Sequence, residues 1–154
     1  MSELLDKILS RNNMLEAYHQ VKRNKGSAGI DGVTIEEMDD FLRQHWRETK
    51  ELIKQRKYKP QPVLRVEIPK PNGGVRNLGI PTVMDRMVQQ AIVQTISPIC
   101  ERHFSEYSYG FRPNRSCETA IIQLLEYLND GYEWIVDIDL EKFFDTVPQD
   151  RLMS

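Results

Sequence analysis

The sequence predicts an α+β fold of helices plus one antiparallel β-hairpin. Three observations predict it. Apolar residues recur at helical spacing in four separate stretches. One alternating stretch, residues 63–70, is joined through Asn72-Gly73-Gly74 to a second apolar run. A last stretch, Trp134 to Leu140, reads as a further strand.

The elements follow in order. Leu4, Leu5, Ile8 and Leu9, then Leu15, Tyr18 and Val21 after a polar Asn12-Asn13 interruption, predict one or two helices ending before Gly26. Residues 24–33 hold three glycines and predict a loop with an apolar anchor at Ile30. Thr34 followed by Glu37 is a capping-box pattern, and Met38, Phe41, Leu42, Trp46 and Ile53 form the apolar stripe of the helix it opens. Pro60 and Pro62 stop that helix. Residues 63–70 alternate as a half-buried strand does, and Val75 to Ile80 supplies its partner. Thr82 caps a helix carrying Val83, Met87, Val88, Ile92, Val93 and Ile96. Residues 105–115 form an aromatic and basic loop, after which Ser116 begins a helix that Asn129-Asp130-Gly131 ends. A turn at Glu141 to Asp145 follows the strand.

Composition narrows the function classes. The 154 residues, 40% hydrophobic and 29% charged, describe a globular chain and not a disordered one. No apolar run of about 18 residues exists, so no membrane span or membrane partner is expected. Acids at Glu3 and Asp6 and the lack of an apolar core argue against a secretory signal. Cys100 and Cys117 match no metal-ligand spacing and suggest a reducing, cytoplasmic setting. The net charge of -2 first argues against nucleic acid. It hides two opposite blocks: residues 41–76 hold ten basic and three acidic side chains, and residues 117–154 hold two basic and nine acidic. Such blocks suit a polyanion on one side and cations on the other, or merely two solvated faces.

Three clusters could carry chemistry. Strand alternation sets Asp137 and Asp139 on one face, about 7 Å apart at about 3.3 Å per residue. Carboxylates so placed suit Mg²⁺, although a solvated strand face has the same pattern. Lys70 and Arg76 flank the hairpin turn and make a plausible phosphate clamp, or else guard a strand edge. Arg112 and Arg115 interleave with Tyr107, Tyr109 and Phe111, a pattern that suits backbone phosphates and stacked bases and equally a loop packed on a core. His19, His45 and His103 do not cluster, and the hairpin is no Walker A loop.

Four segments, in order, resemble the N-terminal half of group II intron reverse transcriptases (maturases). Asn24-Lys25-Gly26-Ser27-Ala28-Gly29-Ile30-Asp31-Gly32 resembles the family's N-terminal extension loop. Residues 68–82, from Ile68-Pro69-Lys70 to Ile80-Pro81-Thr82, resemble the first fingers motif, and Tyr109-Gly110-Phe111-Arg112-Pro113-Asn114-Arg115-Ser116 resembles the second. Val136-Asp137-Ile138-Asp139-Leu140-Glu141-Lys142-Phe143-Phe144-Asp145 resembles the first catalytic palm motif.

The resemblance implies a reverse-transcriptase fingers subdomain with the first strand of the palm. The implied limits are extension helices and template loop at 1–34, fingers at 35–132 and the start of the palm at 133–154. It also implies roles. Asp139 is the catalytic, Mg²⁺-binding aspartate, with the Leu140 carbonyl as a further ligand. Lys70, Arg76 and Phe144 hold the incoming dNTP, Phe144 excluding ribose 2′-hydroxyls. Asn24, Lys25, Gly26, Arg112 and Arg115 face template RNA. Asp137 matches no family role. The implied activity is RNA-directed DNA polymerisation with help to intron splicing, and the implied partners are template and intron RNA, a DNA or RNA primer, and dNTP. The second acidic motif, usually Tyr-Ala-Asp-Asp, is absent from the 154 residues, so the chain looks like a fragment that is inactive as a polymerase on its own. A homodimer formed at the open edge of strand 133–140 is a further expectation. Two alternatives to the polymerase are an intron-RNA-binding scaffold without chemistry and an Asp-x-Asp glycosyltransferase. The latter leaves the hairpin and the Gly110-Phe111-Arg112-Pro113 stretch without a role.

Overall fold

The computed structural model describes residues 3–140, 147, 148, 150 and 151. The chain divides into two compact units, Met1–Phe104 and Ser105–Ser154.

The first unit contains α1 (Glu3–Ile8), α2 (Arg11–Asn24), α3 (Met38–Lys54), β1 (Leu64–Pro69), β2 (Val75–Ile80) and α4 (Val83–Cys100), followed by a 3₁₀ turn at Glu101–His103. The break between the first two helices falls at Ser10, not at the Asn12-Asn13 pair. The Ser10 hydroxyl accepts from the Asn13 amide at 3.4 Å and so caps α2. Asn13 is spent on tertiary structure instead. Its side-chain amide donates to the carbonyls of Ile8 (2.8 Å) and Ala91 (2.9 Å), and its oxygen accepts from Gln94 (2.9 Å). This knot ties the α1–α2 corner to α4. Asn13→Ala should therefore cost about 2 kcal/mol, because it strands part-buried carbonyls, and a urea titration against wild type measures it.

α2 lies along α4, and the alanines Ala17 and Ala91, both 0% exposed, let the two backbones approach. The core adds Leu9, Met14, Val21, Ile35, Met38, Val83, Met84 and Met87. The Thr34–Glu37 box forms: the Glu37 amide donates to Thr34 Oγ1 (3.3 Å) and the Thr34 amide to Glu37 Oε2 (3.0 Å). The regular helix begins one turn later, at Met38. α3 ends before the prolines do their work. Arg56 turns left-handed (φ 58°), and Lys57 donates to the Leu52 carbonyl at 2.8 Å, closing a Schellman-type end.

β1 and β2 pair antiparallel with Leu64 opposite Ile80 and Pro69 opposite Val75. The expectation of a half-buried strand fails, since every residue of β1 is exposed. The hairpin forms from its local turn chemistry and ladder and not from a buried face.

In the second unit α5 (Cys117–Asn129) has the expected start and stop. Ser116 and Thr119 bond each other's backbone amides, and Gly131 (φ 94°) closes the end with Tyr132 donating to the Tyr127 carbonyl at 3.1 Å. None of its residues is buried. The predicted strand at 134–140 does not form. Residues 133–140 have no regular secondary structure and are exposed throughout, Trp134 at 94%. A strand needs a neighbour to complete its hydrogen bonds, and residues 133–140 pair with no strand among the described residues. Strand-edge homodimerisation consequently has no formed edge here. The expected turn at 141–145 lies outside the described residues. No helix among the described residues is long and apolar enough to cross a membrane.

Candidate functional site

The hairpin tip is built by its turn. Lys70 and Gly73 close a turn through a 3.1 Å bond from the Gly73 amide to the Lys70 carbonyl. Pro71 and Asn72 fill the central positions, and Gly73 (φ 85°) takes the left-handed place that follows. The Lys70 amide donates back to the Gly74 carbonyl at 3.0 Å, extending by one pair the register in which Ile68 faces Arg76. By pleat alternation Lys70 and Arg76 therefore share one face with Val66, Ile68 and Leu78. The result is an exposed apolar face tipped by two cations.

The hairpin's approach is set by a buried carboxylate. Asp85, 2% exposed, accepts from the hydroxyl of Thr82 (2.7 Å), the hydroxyl of Tyr58 (2.5 Å) and the amide of Gln61 (3.1 Å). One side chain thus finishes the cap of α4 and pins the chain leading into β1. Burial, and then the bond to Asp85, hold the Tyr58 phenol well above its ordinary pKa.

The glycine-rich loop lies against the same helix. A Cβ on Gly29 would fall 2.7 Å from the Thr82 Cα, so the loop backbone rests on the α4 cap. Gly29 is thus the anchor, and Ile30, expected in that role, is 51% exposed. A Cβ on Gly26 would fall 2.2 Å from Arg86 Nη1. Arg86 Nη2 donates to the Ser27 carbonyl at 2.8 Å. Asn24 and Gly26 line one cleft of about 260 Å³ with Arg86, Gln89 and Gln90, while Lys25 turns left-handed (φ 48°) at the end of α2. A larger apolar cleft of about 590 Å³, between α2 and α3 around Trp46, holds none of the sequence-derived site residues. Arg86 escaped the sequence reading, although it is the only basic residue of α4, and that isolation is the signal that marks it.

In the second unit both predicted arginines turn onto their own loop. Arg112 donates to the carbonyls of Ser105 (2.6 Å) and Ser108 (2.8 Å). Arg115 donates to the Glu106 carbonyl (2.6 Å) and stacks its guanidinium 5.1 Å from the Tyr109 ring centre. These braces set the loop conformation and leave Phe111 wholly exposed at φ 55°.

Asp137, Asp139 and Leu140 are exposed on the irregular stretch, so no pleat aligns the two carboxylates. The Asp139 carboxylate and the Leu140 carbonyl are hard oxygen donors of the kind Mg²⁺ takes. Among the described residues no three His, Cys, Asp or Glu side chains gather as a metal site. Phe144 lies outside the described residues.

Comparison with known proteins adds the lineage. Residues 68–154 match the family described as reverse transcriptase (RNA-dependent DNA polymerase). The chain is 36% identical over 139 residues to the group II intron-encoded protein LtrA of Lactococcus lactis subsp. cremoris, covering 90% of this chain and 23% of that protein. It is 37% identical over 143 residues to the putative COX1/OXI3 intron 2 protein of Saccharomyces cerevisiae, covering 92% and 16%. It is also 37% identical over 147 residues to protein YkfC of Escherichia coli K12, covering 92% and 39%. The chain thus spans well under half the length of each of these relatives.

Proposed function

The chain belongs to the reverse transcriptase (RNA-dependent DNA polymerase) family, and from that premise we propose that it forms the fingers and the start of the palm of a group II intron-encoded polymerase that copies RNA into DNA and assists splicing. The observation that carries this reading is the hairpin tip. Lys70 and Arg76 stand on one face, inside the matched region, where two cations suit a triphosphate. The roles follow the motifs. Lys70, Arg76 and Phe144 hold the incoming dNTP, and Asn24, Lys25, Gly26, Arg112 and Arg115 meet template RNA. Asp139 and the Leu140 carbonyl would hold Mg²⁺, which would supply Lewis-acid activation of a primer 3′-hydroxyl. The limits are 1–34, 35–132 and 133–154 for extension, fingers and palm.

The 154-residue chain should bind RNA and fail to extend a primer, because it has no Tyr-x-Asp-Asp sequence. Fluorescence anisotropy with a labelled single-stranded RNA tests the binding. Three phosphate contacts, from Lys25, Arg112 and Arg115, predict that log affinity falls against log salt with a slope of about -2. A slope near zero, or primer extension by this chain, would sink the reading.

A further inference from the structure

We infer that the cleft between α2 and α4, beneath the glycine-rich loop, takes a single nucleotide, its phosphate drawn to Arg86 and its base lodged between Val21 and Val93. Arg86 carries the inference. It is half-buried, no carboxylate pairs with it among the described residues, and its Nε is buried without an acceptor. Its one hydrogen bond goes to a neutral carbonyl, that of Ser27. A cation partly withdrawn from water and without a counter-ion favours an anionic oxygen at the accessible part of its guanidinium; the buried Nε, closed to the cleft, adds to the cost of the unpaired charge. Burial also pulls its pKa below the ordinary guanidinium range, with Asp31 close enough to oppose that only in part.

The rest of the cleft suits a nucleotide better than a bare anion. Its volume of about 260 Å³ exceeds what a phosphate needs. Val21 and Val93 offer apolar walls for a ring. Asn24, Gln89 and Gln90 offer amides for base edges. Two of these are partly engaged, Asn24 accepting from Gln20 (2.8 Å) and Gln90 donating to Gln94 (3.1 Å), which orients them. Gly26 leaves room for the guanidinium under the loop. The inference rests on the RNA-binding reading only for the source of the nucleotide, a strand of RNA and not a free mononucleotide.

The test is a titration of the ¹⁵N-labelled 154-residue chain by nuclear magnetic resonance, reading the Arg86 Nε–H and the Gln89 side-chain amide. The probes are an oligoadenylate RNA hexamer, adenosine monophosphate, inorganic phosphate and hexaglutamate. Both signals should shift saturably with the hexamer, more weakly with the mononucleotide, and least with phosphate. Gln89→Glu sets a negative charge in the cleft at an exposed position and spares the Arg86–Ser27 bond. It should weaken hexamer binding at the cleft about tenfold, as should Arg86→Lys. Silence of both signals with hexamer and mononucleotide, an equal response to hexaglutamate, or wild-type affinity in Gln89→Glu overturns the inference. If Arg86 stays silent while the chain binds RNA with a steep salt slope, the cleft is wrong and the functional reading stands. If the mononucleotide moves Arg86 but RNA binding is absent, the nucleotide site stands and that reading falls.

Discussion

Asp85→Ala should lower the urea midpoint of the Met1–Phe104 unit by about 1.5 M. The change removes a carboxylate that is 2% exposed and leaves three donors, from Thr82, Tyr58 and Gln61, without their acceptor. Stranding donors that bonded a buried charge costs about 3 kcal/mol, and an m-value of about 2 kcal/mol per M converts that to the shift. Trp46 fluorescence follows the transition, since Trp134 is 94% exposed and changes little on unfolding. Asp85→Asn keeps one acceptor oxygen and should lose less. A midpoint within about 0.3 M of wild type would show that the network contributes little. The Tyr58 phenol adds a pH signature. Its folded pKa is raised, so its stabilising bond is fully present below the ordinary tyrosine value of about 10 and is lost as pH climbs past it. Tyr58→Phe should therefore flatten the alkaline limb of stability.

The second large effect concerns the hairpin tip. Lys70→Ala with Arg76→Ala should weaken binding of a fluorophore-labelled dATP to the chain about 100-fold, each change giving about tenfold. Both residues lie beyond any packed surface, so the fold and its urea midpoint should not move. Arg76→Lys keeps the charge but loses the bidentate fork, and should fall between wild type and alanine. The labelled nucleoside without phosphates should bind the double variant and wild type alike. Equal dATP affinity in the double variant and wild type would remove these residues from the proposed nucleotide site.

Much of the fold was legible because local rules decide it. Thr82 and Ser116 make the caps their spacing predicts, the Thr34–Glu37 box closes one turn ahead of α3, and the turn around Asn72-Gly73-Gly74 closes the hairpin. Each of these needs only a few neighbouring residues to agree. Errors arose where a distant partner decides. Asn13 looked like a helix break and is a tertiary knot, since its acceptor at Ala91 is 78 residues away. Ile30 looked like an anchor because it is apolar, while Gly29 takes that place by having no side chain. The alternation at 134–140 predicts a strand, but alternation specifies faces only, and a strand also requires a ladder.

The candidate site divides in the same way. By itself the sequence determined the two charge blocks, the hairpin with Lys70 and Arg76 at its turn, and the motif order that places the chain with its family. Only the tertiary structure decided that the glycine-rich loop lies on the α4 cap and that Arg86 reaches beneath it to Ser27. It also decided that the guanidinium of Arg112 braces its own loop. The physical reason is range. Caps, turns and pleats act over a few residues and leave a pattern in the sequence, whereas the pairing of Arg86 with a loop 59 residues earlier leaves no spacing to read.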